Sequence, residues 1–305
     1  MARRVEQKAA ARERIAAQLA AQQAAERRRR LLLALGAVVL VIVIVGGLVA
    51  IRVFGGGKKT ATGPSGAADT ALMTTLSSIP DSTFSTVGSA GVTAAPSAIN
   101  GAPALTDNGK PKVLYIGAEY CPFCAAERWP VTVALMRFGT FSGLGTTHSA
   151  SGDVHPNTPT LSFHGSTYTS QYLAFTGVET TTNELEGNSY KPLDTPTAED
   201  QATLQKYDYP PYVDKDGAGS IPFIDLGNKF IGSGATYDPE LLAGKTQQQV
   251  ADAIKDPSTP IAKAVIGSAN VYTAAICKMT NNQPANVCST EAVTAAAGKL
   301  GAAKG

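Results

Sequence analysis

In the stretch YIGAEYCPFCAAERWP, residues 115–130, Cys121 and Cys124 stand three residues apart around Pro122 and Phe123. Two thiols at that spacing can exchange disulfides with another protein if a helix starts beside the first. Pro122 suits a first helical turn, where its missing N–H is not needed. Cys121 then faces the unpaired N–H groups and the positive dipole end of that helix. Both lower a thiol's pKa, and the thiolate is the reactive species. Cys124 falls on the same helical face, so it can resolve a mixed disulfide at Cys121 without large motion. Phe123 adds an exposed apolar contact for a substrate chain.

Other uses of the pair are open. A metal site needs a second pair, or histidines at ligand spacing. His148, His155 and His164 lie 24 or more residues beyond Cys124, in loop-like sequence, and read as solvated or hydrogen-bonded surface groups. Proline between the cysteines also favours redox over zinc, though copper or zinc handling remains an alternative. An inert disulfide here would close a ring of only four residues, which restrains an unfolded chain little. Thiolate exchange itself needs neither a metal nor an organic cofactor, so neither is expected.

The other two cysteines sit in ICKMTNNQPANVC, residues 276–288. Four cysteines permit three pairings, and spacing favours 121 with 124 and 277 with 288. Cys277 and Cys288 would close a loop between a helix end and a short helix start, worth roughly 3 kcal/mol by chain entropy. The alternative is a second redox pair that relays electrons to Cys121 and Cys124.

The elements that must hold the first pair are legible around it. KVLYIG, residues 112–117, is a compact apolar run and reads as a buried strand, and a helix over 122–138 follows directly. Residues 139–160 are rich in Gly, Ser and Thr and read as loop. A second strand is expected over 172–180, with another at 160–164, and a helix over 198–207 behind the capping hydroxyls of Thr195 and Thr197. PFIDLGNKFIG, residues 222–232, reads as a β-hairpin turning at Gly227-Asn228. Helices follow over 241–255, 260–279 and 290–300, and a short one over 69–78 comes before them all. This order gives an α/β fold, a mixed sheet flanked by helices.

AEYCPFC resembles the strand-to-active-site stretch of the thioredoxin superfamily, with Tyr120 where that family carries Trp. Ser220-Ile221-Pro222-Phe223, followed by a hairpin, resembles its second mark. The resemblance implies a thioredoxin-like fold with a core over about 110–256. It makes Pro222 a cis-proline beside Cys121 and Ile221 the residue whose backbone meets the substrate. The exported region also resembles an uncharacterised membrane-anchored, thioredoxin-like family known only as a domain of unknown function. Three departures stand out. Tyr115 occupies the place of a buried Asp, and Glu119 and Glu127 are only neighbours of it in sequence. Cys124 and Pro222 are 98 residues apart, which leaves a long insertion within 139–220. The dipeptide is Pro-Phe rather than the Pro-His of strongly oxidising DsbA-type enzymes.

The chain has 305 residues, with 44% hydrophobic and 16% charged, which excludes a wholly disordered or collagen-like protein. Residues 31–51 carry no charge, and as a helix they would run about 31 Å, enough to cross a bilayer. Nine Lys/Arg and three Glu give residues 1–30 a net +6, while residues 60–305 carry fourteen basic and twenty-one acidic groups. The basic flank predicts a cytoplasmic N-terminus and an exported C-terminal part. Basic residues on a tail rather than on the folded part argue against nucleic-acid binding. The expected organisation is a basic helical tail at 1–30, a transmembrane helix at 31–54 and a flexible linker at 55–68. An extracytoplasmic domain follows at 69–305, with a C-terminal helical extension over 257–305. All four cysteines lie outside the membrane, where disulfides persist.

These readings describe a tethered thiol–disulfide oxidoreductase acting on cysteines of exported proteins. Cys121 and Cys124 would be catalytic, Phe123, Ile221 and Pro222 would bind substrate, and Cys277–Cys288 would be a structural disulfide. A membrane redox partner of the DsbB or vitamin-K-epoxide-reductase type is implied by resemblance. The rival is a non-catalytic thioredoxin-like scaffold in an envelope complex.

Overall fold

The computed structural model describes residues 66–68 and 70–304, with side chains up to 302. The tail, the transmembrane helix expected at 31–54 and most of the linker lie outside the described residues. Among those described, no helix is long and apolar enough to cross a membrane. They belong to one compact unit, 62–305.

The unit is mixed α/β. Its sheet runs in the order β14 (Gly301–Lys304), β2 (Ser97–Ile99), β13 (Phe230–Ser233), β12 (Phe223–Leu226), β4 (Lys110–Gly117), with β9 (Ala174–Glu179) on the far side of β4 and β3 (Thr106–Asp107) folded back onto β4's start. β4 is parallel to β9 and antiparallel to β12, and β12 is antiparallel to β13. Val113 to Gly117 are buried throughout, as expected of a strand covered on both faces. The β12–β13 turn places Gly227 (φ 69°) and Asn228 (φ 52°) in left-handed backbone, the conformation a tight hairpin requires.

Helix α3 (Pro122–Met136) leaves β4 directly and packs against the long, almost wholly buried α6 (Pro260–Met279). Thr259 caps α6, and Thr246 closes a capping box on α5 (Gln247–Lys255). α4 (Ala198–Tyr207) begins at Thr197, which caps it by accepting from Asp200 N.

Several segments differ from the sequence reading. Residues 139–160 carry two strands, β5 (Gly139–Ser142) and β6 (Gly145–His148), that pair with β8 (Thr167–Ser170) and β7 (Pro159–Ser162), and β6 also pairs with the short β1 (Gly66–Ala67). Such short Thr-rich segments become strands only because a partner lies alongside. The insertion adds a hairpin, β10 (Thr181–Glu186) with β11 (Ser189–Pro192). The helix expected from 241 starts at Gln247, since Gly244 (φ 69°) interrupts the chain after a 3-10 turn at Pro239–Leu242. Before β4 lie α1 (Thr70–Ser77), which the sequence predicts, and α2 (Asp81–Val87), which it does not. Beyond α6 come α7 (Ala285–Cys288) and α8 (Glu291–Ala296). β2 and β14 extend the sheet beyond both ends of the expected 110–256 core.

Candidate active site

Cys121 is the N-cap of α3, with Pro122 in the first turn. Its sulfur accepts the Cys124 backbone N–H at 3.3 Å, so a thiolate here takes up one of the helix's unpaired donors. The Cys121 thiol also lies 3.7 Å from the carbonyl oxygen of Ile221, the residue before Pro222. The Ile221–Pro222 bond is cis. A site split by about a hundred residues of sequence thus meets at one sulfur. β4 and β12 are direct neighbours, with Phe223 opposite Ile116, and this register brings the two ends together.

The two thiols are electrostatically unequal. The Cys121 pKa is lowered, first by the hydrogen bond from the Cys124 thiol, which outweighs burial, and further by the Cys124 N–H and the Arg128 charge. The Cys124 thiol is pushed well up, first by burial and then by its bond to Cys121 and the charge there. One sulfur is therefore set up to ionise and the other to keep its proton until the first has reacted.

Arg128, four residues after Cys124, is fully buried. Its Nε and Nη2 bind the two oxygens of Glu179 at 2.7 and 2.6 Å, and Nη2 also donates to the Ala118 carbonyl at 2.8 Å. Burial acts against the Arg128 charge, but Glu179 together with Tyr115 and Cys124 outweighs it and the pKa is raised. A bidentate pair sealed from water is strongly coupled and costly to break. Arg128 Nη1 has no hydrogen-bond partner among the described residues.

Pro130 interrupts α3 by removing the N–H that would reach the Ala126 carbonyl. The Tyr237 hydroxyl donates to that carbonyl at 2.7 Å, and Thr160 Oγ1 donates to the Ala125 carbonyl at 2.7 Å. The helix that carries the cysteines is thus held by side chains from distant segments. Tyr115 is buried beneath it, with its hydroxyl 3.5 Å from the Cys124 carbonyl oxygen. Glu119 accepts from Ser162 Oγ at 2.7 Å, and Glu127 accepts from Thr236 N and Oγ1.

The insertion closes around the pair. Tyr190 of β11 stacks on Tyr120 with ring centroids 4.3 Å apart, and Ala150 N donates to the Tyr120 carbonyl. Cys121 keeps 5% of its surface exposed and Cys124 none. Four large apolar side chains are conspicuously exposed among the described residues: Phe123, Val154, Leu185 and Tyr209. Phe123 meets His155, the neighbour of Val154, edge to face. Leu185 is paired with Tyr190 across the hairpin. Tyr209 abuts Gly219 (φ 73°), two residues before Ile221, where a Cβ would meet the Tyr209 hydroxyl at 2.8 Å. Phe123 is Cys121's neighbour but one in the chain, and the other three lie on segments that reach Phe123, Tyr120 or the stretch before Ile221.

The structure therefore brings Cys121, Cys124, Phe123, Ile221 and Pro222 together. Cys277 and Cys288 form a disulfide elsewhere, between the end of α6 and α7. His148, His155 and His164 are hydrogen-bonded to Ser149, Glu240 and Asp194. No group of three or more metal-binding side chains occurs among the described residues. Arg128, Glu179, Tyr190 and Tyr237 were missed from sequence. The one available signal was the charged pair Glu127-Arg128 inside a mostly apolar helix, with a lone acid, Glu179, ending β9.

Fold and site together define a mixed α/β domain that presents a helix-capping C-x-x-C pair beside a cis-proline. Residues 99–278, more than half of the chain, match the model of a family described as a domain of unknown function, DUF929, and the chain belongs to that family. No curated protein and no solved structure matches it.

Proposed function

We propose that this protein is a thiol–disulfide oxidoreductase with a thioredoxin-like core, tethered to the membrane by residues 31–54 and acting outside it on cysteines of exported proteins. The observation that carries the reading is the Cys121 sulfur, at the tip of α3, within 3.7 Å of the Ile221 carbonyl that precedes cis-Pro222. The four-strand order β9-β4-β12-β13 supports the thioredoxin-like reading, since it sets C-x-x-C and proline on adjacent strand ends.

In the reductive direction, Cys121 thiolate attacks one sulfur of a substrate disulfide and expels the other as thiolate. Cys124, losing its proton to solvent, then attacks Cys121 Sγ. The substrate's second sulfur leaves as thiolate, and the pair becomes a disulfide. Two electrons pass to the substrate, and a thiol reductant would have to return the pair to the dithiol. The oxidative direction is the reverse, and there a membrane redox partner of the DsbB or vitamin-K-epoxide-reductase type would take the two electrons and restore the disulfide. The exposed Phe123, Val154, Leu185 and Tyr209 give an extended chain apolar contacts beside the sulfur, and the Ile221 backbone gives it hydrogen bonds.

A scaffold role is favoured by one observation, the 5% exposure left to Cys121 beneath the insertion. A Cys124→Ala chain separates the two. As an oxidoreductase, it accumulates reductant-sensitive adducts with exported proteins, and Cys121→Ala abolishes them. No adducts, together with a Cys121 that resists maleimide at neutral pH, would leave the scaffold.

A further inference from the structure

Away from the cysteine pair, the structure holds a cavity of about 550 Å³, within the size range of small-molecule sites. Its walls come from α1, α2, the end of α3, the start of β5 and the segment stapled by Cys277–Cys288. Leu76, Phe84, Val133, Phe141 and Val287 give it an apolar wall, and the rest of its lining is polar. Arg137, which caps the C-terminus of α3, is the cation in it.

Arg137 is largely buried, yet it forms no ion pair among the described residues. Its Nη1 donates to Asn270 Oδ1 at 3.2 Å and Thr273 Oγ1 at 3.3 Å, and its guanidinium lies 4.4 Å from the centre of the Phe84 ring. These contacts fix the group's plane and leave Nε and Nη2 without a hydrogen-bond partner among the described residues. Burial pulls its pKa down to about 10, opposed by Asp81, so it stays charged at neutral pH. Asp81 also lines the cavity and supports the charge without forming an ion pair with it. A largely buried cation whose nearest acid forms no ion pair with it is incompletely compensated, and two parallel N–H donors match the two oxygens of a carboxylate.

We propose that this cavity binds a small amphipathic carboxylate, its apolar tail among Phe84, Phe141 and Val287 and its carboxylate on Arg137. The site is separate from the thiol chemistry and stands whether or not that chemistry is borne out.

Methionine reports on it directly, because Met73 and Met136 line the cavity while Met279 packs elsewhere, beside Gly227. The full chain, labelled with ¹³C-methyl methionine in lipid nanodiscs, is titrated with 4-phenylbutyrate and with 4-phenyl-1-butanol. The carboxylate should shift Met73 and Met136 to saturation and leave Met279 unmoved, and the alcohol should bind about tenfold more weakly or worse. Arg137→Gln should weaken the carboxylate by about tenfold or more. Thr74→Trp, placed at the exposed mouth, should block it without touching Arg137. Equal response to acid and alcohol, or affinity unchanged in Arg137→Gln, overturns the proposal. So do Met73 and Met136 signals that never move, the result if another part of the chain fills the cavity.

Discussion

The molecule contains two cysteine pairs, and almost everything around them is opposite. Cys121 begins a helix, and Cys277 lies in the last turn of one. A helix N-terminus stabilises a thiolate and a C-terminus disfavours it. Cys121 and Cys124 are free thiols three residues apart, with a buried Arg–Glu pair alongside. Cys277 and Cys288 are bonded, eleven residues apart, with Cα atoms at 5.6 Å, and belong to the main apolar cluster. The short ring can open and close at little cost to the fold. The longer one restrains the unfolded chain and the loop around Pro284. Cysteine chemistry here is set by position on a helix and by neighbouring charge.

The contrast is sharpest in activity. Cys121→Ser should abolish thiol–disulfide exchange in an insulin-reduction or dithiol-oxidation assay. The Cys277→Ser/Cys288→Ser protein should exchange at the wild-type rate. Loss of activity in the second protein would make that pair a relay and break the contrast.

Next comes the charge beside the first pair. Arg128→Met leaves Glu179 buried and unpaired and should cost about 3–5 kcal/mol in denaturant unfolding. It should also raise the pKa of Cys121, followed through the ultraviolet absorbance of the thiolate. An unchanged thiol titration in the folded variant would remove Arg128 from the electrostatics of the site.

Removing the second disulfide should lower stability by about 3 kcal/mol, read from the denaturation midpoint. A loss much smaller than that would mean the loop is held by packing instead.

The cysteine-bearing helix also contains Glu127, whose pKa burial pushes up to about 7. Unfolded, it releases its proton near its ordinary value, while the folded protein keeps it until about pH 7. Between those values the unfolded state binds fewer protons, so stability falls as pH rises, by about 1.4 kcal/mol per pH unit for one group. Asp225, also raised to about 7, adds to the same slope. Glu127→Gln keeps an acceptor for Thr236 and should remove one group's share. An unchanged slope would count against the buried acid.

The smallest effect concerns the proline break. Tyr237→Phe leaves the Ala126 carbonyl without its donor and should cost about 1 kcal/mol, with little change in exchange rate.

Local spacing on its own determined the C-x-x-C pair, its place at a helix start, the strand before it, the β12–β13 hairpin and helices 198–207 and 260–279. Each depends on neighbours within one or two turns: Pro122 beside Cys121, Gly227-Asn228 between apolar runs, Thr197 and Thr259 as caps. Tertiary structure alone decided the Arg128–Glu179 pair, the Tyr190 cover over Tyr120, the Tyr237 bond to a freed carbonyl and the cavity around Arg137. Those contacts join residues tens to more than a hundred positions apart. β5, β6 and β8 were invisible for the same reason, since a short polar strand has no period of its own and exists only through its partner, whereas β7 falls on the strand expected at 160–164. What a buried charge or an edge strand does is set by what packs against it, and no window along the chain contains that.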